Sequence, residues 1–209
     1  LLPKVFDYND LQKFTTQDSE EIIDDLKKFS AIGIGPGLGN DPETLKFVKD
    51  IITETDPDTP MVIDADALKA IDKNFKLRKN IILTPHIGEF ANLIEKDRLE
   101  ITPEAYKYAL EWSDKLNCTL LLKHVPSFIT NGGNSYVNPY GNAGLSSGGS
   151  GDVLTGIVLS LLSQKVEPLE AAALGSFLLS STADKLVSEE GMESMAATDI
   201  INNIGRILA

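Results

Sequence analysis

Short apolar runs alternate along this chain with longer stretches in which apolar residues recur at every third or fourth position and polar residues fill the intervals. The short runs read as strands, at Ala31 to Gly35, Met61 to Asp64, Ile81 to Thr84, Thr119 to Lys123, Phe128 to Thr130 and Ser135 to Asn138. The longer ones read as helices, at Ser19 to Phe29, Pro42 to Thr55, Glu89 to Ile94, Pro103 to Leu116, Asp152 to Leu162, Pro168 to Ser188 and Thr198 to Leu208. Two of these open with start signals, Asp41 before Pro42 and Thr102 before Pro103. There a side-chain oxygen can accept from the free N–H groups of the first turn, and proline has no N–H to leave unpaired. The alternation predicts an α/β layered fold with a mostly parallel central sheet flanked by helices. Asn131-Gly132-Gly133-Asn134 interrupts it with turn chemistry, which predicts a β-hairpin between the last two strands; a helical region rich in small residues follows.

Composition sets bounds on this picture. With 42% hydrophobic residues, positions 1–209 have the material for a single domain with a sizeable core. No apolar run is long enough to span a bilayer, and Glu170, Asp184 and Lys185 bracket too short an apolar core in the last long helix. The opening LLPKVFDYNDLQ lacks the basic-then-apolar layout of a secretory signal. Cys118, alone in the chain, has no partner for an internal disulfide, and its apolar setting predicts a small buried strand residue in a cytoplasmic protein. A formal net charge of −12 argues against nucleic acid as a partner, since such binding relies on lysine and arginine neutralising phosphates. It leaves a nucleotide open, because backbone N–H groups at a helix N-terminus hold a small anion through a local field.

The chemistry concentrates at the ends of the predicted strands. Gly144, Gly148, Gly149 and Gly151 let the backbone turn tightly and present several N–H groups to an anion, and Asp152 falls in the first turn of the helix that follows. A carboxylate there is kept ionised by the helix dipole and can accept a proton from a hydroxyl, while the amides stabilise charge on a transferring phosphoryl group. The plain alternative is that Asp152 only caps the helix. Gly35-Pro36-Gly37-Leu38-Gly39 is a strand-to-helix turn, where ligands of open α/β sheets collect, or else simply a tight turn. Asp64 and Asp66 follow another strand; Asp66 can equally be a cap for the next turn. His86, in Thr84-Pro85-His86-Ile87-Gly88-Glu89, and Lys123, before His124, occupy two further strand ends. Read singly, His86 is more simply a structural histidine, and Lys123 can either reach a phosphate or extend to solvent; read together, five strand ends offer one cleft its polar groups.

The segments GIGPGLG, VIDADAL, LTPHIGE, the strand ending in Lys123 and the Asn-x-Gly-x-x-x-x-x-Gly-Ser-Gly-Asp run from Asn142 occur in an order that resembles the ADP/ATP-dependent NAD(P)H-hydrate dehydratases, carbohydrate-kinase-like members of the ribokinase superfamily. The resemblance implies a ribokinase-like layered fold. It also implies phosphorylation of the ring hydroxyl of hydrated NADH or NADPH by ADP or ATP with Mg²⁺, followed by loss of phosphate. By the same resemblance Asp152 is the catalytic base, and Gly149, Ser150 and Gly151 form the anion hole. Lys123, His124, Val125, Pro126, Ser127 and Gly151 line the nucleotide side, while Gly37, Asp64, Asp66, His86 and Asp152 line the substrate side. No direct protein ligand to the metal is expected, and the family suggests a homo-oligomer, a tetramer in particular.

Some positions depart from the family pattern. His124 stands where the family usually has glycine, and Leu145-Ser146-Ser147-Gly148 replaces an alanine- or threonine-rich approach. The family's N-terminal strand and Ala/Gly-rich helix start, and the epimerase domain fused in many relatives, have no counterpart in residues 1–209. Two other readings remain: a small-molecule kinase acting on a vitamin precursor such as hydroxyethylthiazole or a pyridoxal-like alcohol, and a non-catalytic nucleotide-binding subunit.

Overall fold

The computed structural model describes residues 14–191 and 195–208; the opening segment read above lies outside them. Ile32–Ile34 (β1), Met61–Ile63 (β2), Ile81–Leu83 (β3) and Thr119–Leu122 (β4) lie side by side in chain order as parallel strands. Ser127–Thr130 (β5) and Ser135–Asn138 (β6) continue the same sheet in antiparallel pairing. The strands read as continuous apolar runs because both faces of the sheet are covered, so successive side chains, pointing to opposite faces, all meet a core. Met61, Ile63, Ile81, Leu83, Leu120 and Leu122 enter one cluster, and Val62, Ile82, Leu121 and Ile129 enter the other.

The first cluster is closed by Thr16–Leu26 (α1), Pro42–Glu54 (α2), Ile87–Leu93 (α3), Arg98–Ile101 (α4) and Ala105–Leu116 (α5). The second is closed by Ser150–Ser163 (α6), Pro168–Glu190 (α7) and Ala197–Asn203 (α8), with Gly205–Leu208 (α9) last. Small residues let α7 approach closely: Ala171, Ala172 and Ala183 are fully buried, and a Cβ on Gly175 would lie 2.6 Å from Val158 Cγ2 of α6. Cys118 is buried just before β4, and burial pushes its thiol pKa up, so it is an inert packing residue. Among the described residues no helix is long and apolar enough to cross a membrane.

Asp41 caps α2 as expected, accepting from the Glu43 N–H at 2.9 Å. Thr102 does not cap a helix. Asp97 caps α4 five residues upstream of the start of α5's short 3-10 lead-in, Thr102–Glu104, and the Thr102 hydroxyl donates back to the Arg98 carbonyl. Proline at a first helical position opens a 3-10 turn as readily as an α-helix, which is why the motif misplaced the start. Helix α1 begins at Thr16 instead of Ser19, because Asp18 folds back to accept the Thr15 N–H at 2.6 Å and so extends the first turn. The predicted hairpin at Asn131–Asn134 joins β5 to β6, and β4 and β5 form a second antiparallel pair that the apolar pattern did not foretell.

Candidate active site

The parallel strands end at one edge of the sheet, and the chain leaves that edge in loops that touch one another. At the end of β1, Gly35 has φ +142°, and a Cβ there would fall 1.7 Å from the Asp64 carbonyl oxygen. Only glycine lets β1 and β2 finish in register at this point, with the Asp64 N–H donating to the Ile34 carbonyl at 3.1 Å. Downstream, the Gly39 N–H donates to Asp66 Oδ2 at 3.0 Å, and Lys69 Nζ lies 2.8 Å from Asp66 Oδ1. Asp66 therefore ties the Gly35–Gly39 loop to the 3-10 helix Ala65–Ala70.

The hydrogen bond from Lys69, and after it the Gly39 N–H, holds the Asp66 carboxyl below the usual carboxylate range against the opposing effect of burial. A group whose pKa falls on folding contributes stability in full above its unfolded pKa and loses it as pH drops through the folded value. Asp66→Asn should therefore be less stable than wild type at neutral pH. The gap should close as the pH of thermal melts is lowered past about 4, the ordinary carboxylate range. A gap that persists undiminished in acid would mean that the charge of Asp66 contributes nothing.

His86 and Lys123 stand side by side because pairing continues past the ends of β3 and β4: the Lys123 N–H donates to the Pro85 carbonyl at 2.8 Å. His86 is the N-cap of α3. Its Nδ1 accepts from the Gly88 and Glu89 N–H groups at 2.9 and 3.2 Å, while the Glu89 carboxylate accepts the His86 N–H at 2.8 Å. A histidine whose Nδ1 accepts carries its proton on Nε2. Lys123 Nζ lies 2.7 Å from Asp64 Oδ1 and 3.8 Å from Glu89 Oε2. Asp64 is 1% exposed, and its other oxygen accepts the Thr155 hydroxyl of α6 at 3.0 Å.

Helix α6 starts at Ser150 after Gly149, whose left-handed φ of +89° turns the loop into the helix. Among the described residues no acceptor takes the backbone N–H groups of Gly149, Gly151 or Asp152, so the first turn offers free donors on the positive end of the helix dipole. Beside it is a cavity of about 380 Å³ lined by His86, Lys123, His124, Ser127, Ser150 and Gly151, among others. Val125 also lines it, whereas Pro126, which follows a cis peptide bond, does not. Asp152 lies outside this cavity. It is exposed at the lip of an adjacent, more apolar hollow of about 550 Å³ with Val153, Ile157, Leu178 and Ile201. Successive helical residues point about 100° apart, so Gly151 serves one side of the helix start and Asp152 the other. Gly37, Asp64 and Asp66 line neither hollow.

The far wall escaped the sequence reading. Ser176, Ser180 and Asp184 stand one turn apart along α7. The first two accept from the buried Asn138 amide at 2.8 Å each, and Asp184 accepts the Gly141 N–H at 2.9 Å and the Asn142 amide at 2.7 Å. This fixes the loop that carries Tyr140 and Asn142 over the cavity. A polar stripe at four-residue spacing in an otherwise apolar helix was the available signal.

A sheet with helices on both faces, whose parallel strand ends and a glycine-started helix bound one cavity, is the plan of ribokinase-like proteins. A ribokinase-like superfamily protein of Enterococcus faecalis V583 shares it with a TM-score of 0.81 at 24% identity, over 92% of this chain and 67% of that one. Within that class, the chain belongs to the NAD(P)H-hydrate dehydratase family, whose model matches residues 3–206. A bifunctional NAD(P)H-hydrate repair enzyme of Moorella thermoacetica is 37% identical over 201 residues, 90% of this chain and 36% of that one. The ADP/ATP-dependent NAD(P)H-hydrate dehydratase of Bacillus subtilis, co-crystallized with ATP and Mg²⁺, gives a TM-score of 0.77 at 31% identity, over 86% of this chain and 64% of that one. The chain thus spans little more than a third of the length of the curated relatives it matches.

Proposed function

We propose that this chain uses ADP or ATP to dehydrate hydrated NADH or NADPH, repairing the reduced cofactor. The observation that carries the reading is the convergence of Lys123, His86 and Gly151, whose N–H is unpaired among the described residues, on one cavity in a member of this family. Phosphate is held where free N–H groups, a helix dipole and a lysine meet. The nucleotide accordingly lies on the side of Lys123 to Ser127 and Gly151, with its transferring phosphoryl group against Gly149, Ser150 and Gly151. The family resemblance assigns the hydrate to Asp152 and to His86, which lines the same cavity as Lys123, with Gly37, Asp64 and Asp66 as further contacts at the neighbouring strand ends.

Asp152 then accepts the proton of the ring hydroxyl as that oxygen attacks the terminal phosphorus and the bridging P–O bond to the nucleotide breaks. In the second step the ring nitrogen's electrons expel phosphate with cleavage of the C–O bond, and loss of a proton from the neighbouring carbon restores the double bond. Among the described residues no group of three or more His, Cys, Asp or Glu side chains is placed to hold a metal ion. Magnesium is expected to come with the nucleotide, where it would neutralise charge on the phosphates. The family match favours this reading over a vitamin-precursor kinase. We further read the chain as one ribokinase-like domain, in keeping with its one continuous sheet, and, from the family resemblance, as part of a cytoplasmic homo-oligomer.

The test is direct. Supplied with magnesium, ADP or ATP and hydrated cofactor, the protein should regenerate the absorbance of reduced nicotinamide with release of one phosphate per turnover. Phosphorylation of a vitamin-like alcohol with no action on the hydrate would replace this function with the kinase reading.

A further inference from the structure

Asp64 and Lys123 form an unequal pair. The lysine side chain is 23% exposed and lines the cavity, whereas the aspartate side chain is 2% exposed and does not. An ionised carboxylate taken out of water is expensive unless its oxygens are matched, and a buried ion pair seldom returns more stability than apolar packing would supply. Here the matching is complete: Lys123 Nζ takes Oδ1 at 2.7 Å and the Thr155 hydroxyl takes Oδ2 at 3.0 Å. Thr155 lies four residues beyond Gly151 on α6, on the same helical face. A Cβ built on Gly151 would lie 3.6 Å from both Lys123 Nζ and Asp64 Oδ2, so the lysine sits directly beside the first turn of the helix.

We infer that Asp64 and Thr155 are positioning residues that clamp Lys123 against the start of α6, so that the ammonium and the free amides face the same phosphate. This rests on the nucleotide reading above and adds to it a device for registering two anion-binding groups from separate elements, β4 and α6. A long, flexible lysine loses side-chain freedom when it binds. The clamp pre-organises it, which strengthens binding by reducing that loss. Thr155 reaches neither hollow and acts only through Asp64.

Calorimetry of ADP and of adenosine, which has no phosphate, separates this role from a merely structural one. Thr155→Val keeps the shape and removes the donor, and it should weaken ADP binding about tenfold, the scale of a hydrogen bond to a charged group. Adenosine binding should stay within about twofold, and Thr155→Ser should restore ADP affinity. In a Lys123→Ala background, Thr155→Val should have no further effect on ADP, because the residue it positions is gone. Equal weakening of ADP and adenosine, or the same tenfold loss with and without Lys123, overturns the inference. If Thr155→Val does not fold, Thr155→Ala is put through the same comparison. Binding is read without the hydrate, so a protein that binds ADP but repairs nothing sinks the proposed reaction and leaves the clamp standing; one that binds neither ADP nor ATP overturns both.

Discussion

Replacing Asp152 by asparagine should cut hydrate repair by about a hundredfold or more while the protein folds and binds ADP as before, the scale on which a general base contributes. The expectation of intact folding comes from the surroundings of the side chain. Asp152 is exposed and makes no hydrogen bond or ion pair among the described residues, and the N-cap position of α6 belongs to Gly149. A negative charge in the first turn is worth roughly 0.3–1 kcal/mol through the helix dipole, too little to unfold the chain when lost. The expectation of intact ADP binding comes from the division of the helix start, with Gly151 on the cavity that holds Lys123 and Asp152 on the neighbouring hollow. Asparagine keeps the size of the carboxylate and removes its capacity to take a proton, so the loss should appear in kcat. Turnover within a few-fold of wild type would strip Asp152 of its role. A loss confined to ADP affinity would move it to the nucleotide side.

The strand ends were legible in the sequence because a sheet buried on both faces writes its strands as unbroken apolar runs, and the first polar residue after each run marks the edge. Asp64 and Lys123 were found that way, His86 stands two residues past the first polar residue of its run, Thr84, and the structure brings all three within one network. What those side chains do at the edge was not legible. Sequence gives the position of Asp64 but not its burial, which depends on Thr155, 91 residues away, and on Lys123, 59 residues away. His86 read as either a structural residue or a site residue, and it is both a helix cap and part of the cavity wall, because a cap at a strand end necessarily lies at the edge where ligands collect. The single cleft expected around Asp152 resolves into two hollows on either side of the α6 start. A helix turns about 100° between neighbouring residues, so a motif contiguous in sequence is divided between two sides in space.

Gly35→Ala should be the most disruptive single methyl added to the glycine loops, with a loss of about 3 kcal/mol or more and a melting point lower by roughly 6–12 °C. Two independent effects combine. The φ of +142° is one that side chains bearing a Cβ rarely adopt, and the new carbon would sit 1.7 Å from the Asp64 carbonyl oxygen and 2.7 Å from its carbonyl carbon. Those are backbone atoms, so relief requires β1 and β2 to part at the point where the Asp64 N–H donates to the Ile34 carbonyl. Parting them moves Asp64, and with it the clamp on Lys123, so ADP affinity should fall in whatever fraction of the protein still folds. Gly37→Ala is the control two residues on. Its φ is +74°, but nothing lies within 4 Å of the added carbon, so only the left-handed backbone term of about 1–2 kcal/mol applies. Melting points for the two variants that agree within a degree or so would show that the Asp64 carbonyl yields freely, and that the close approach of β1 to β2 does not hold the site together.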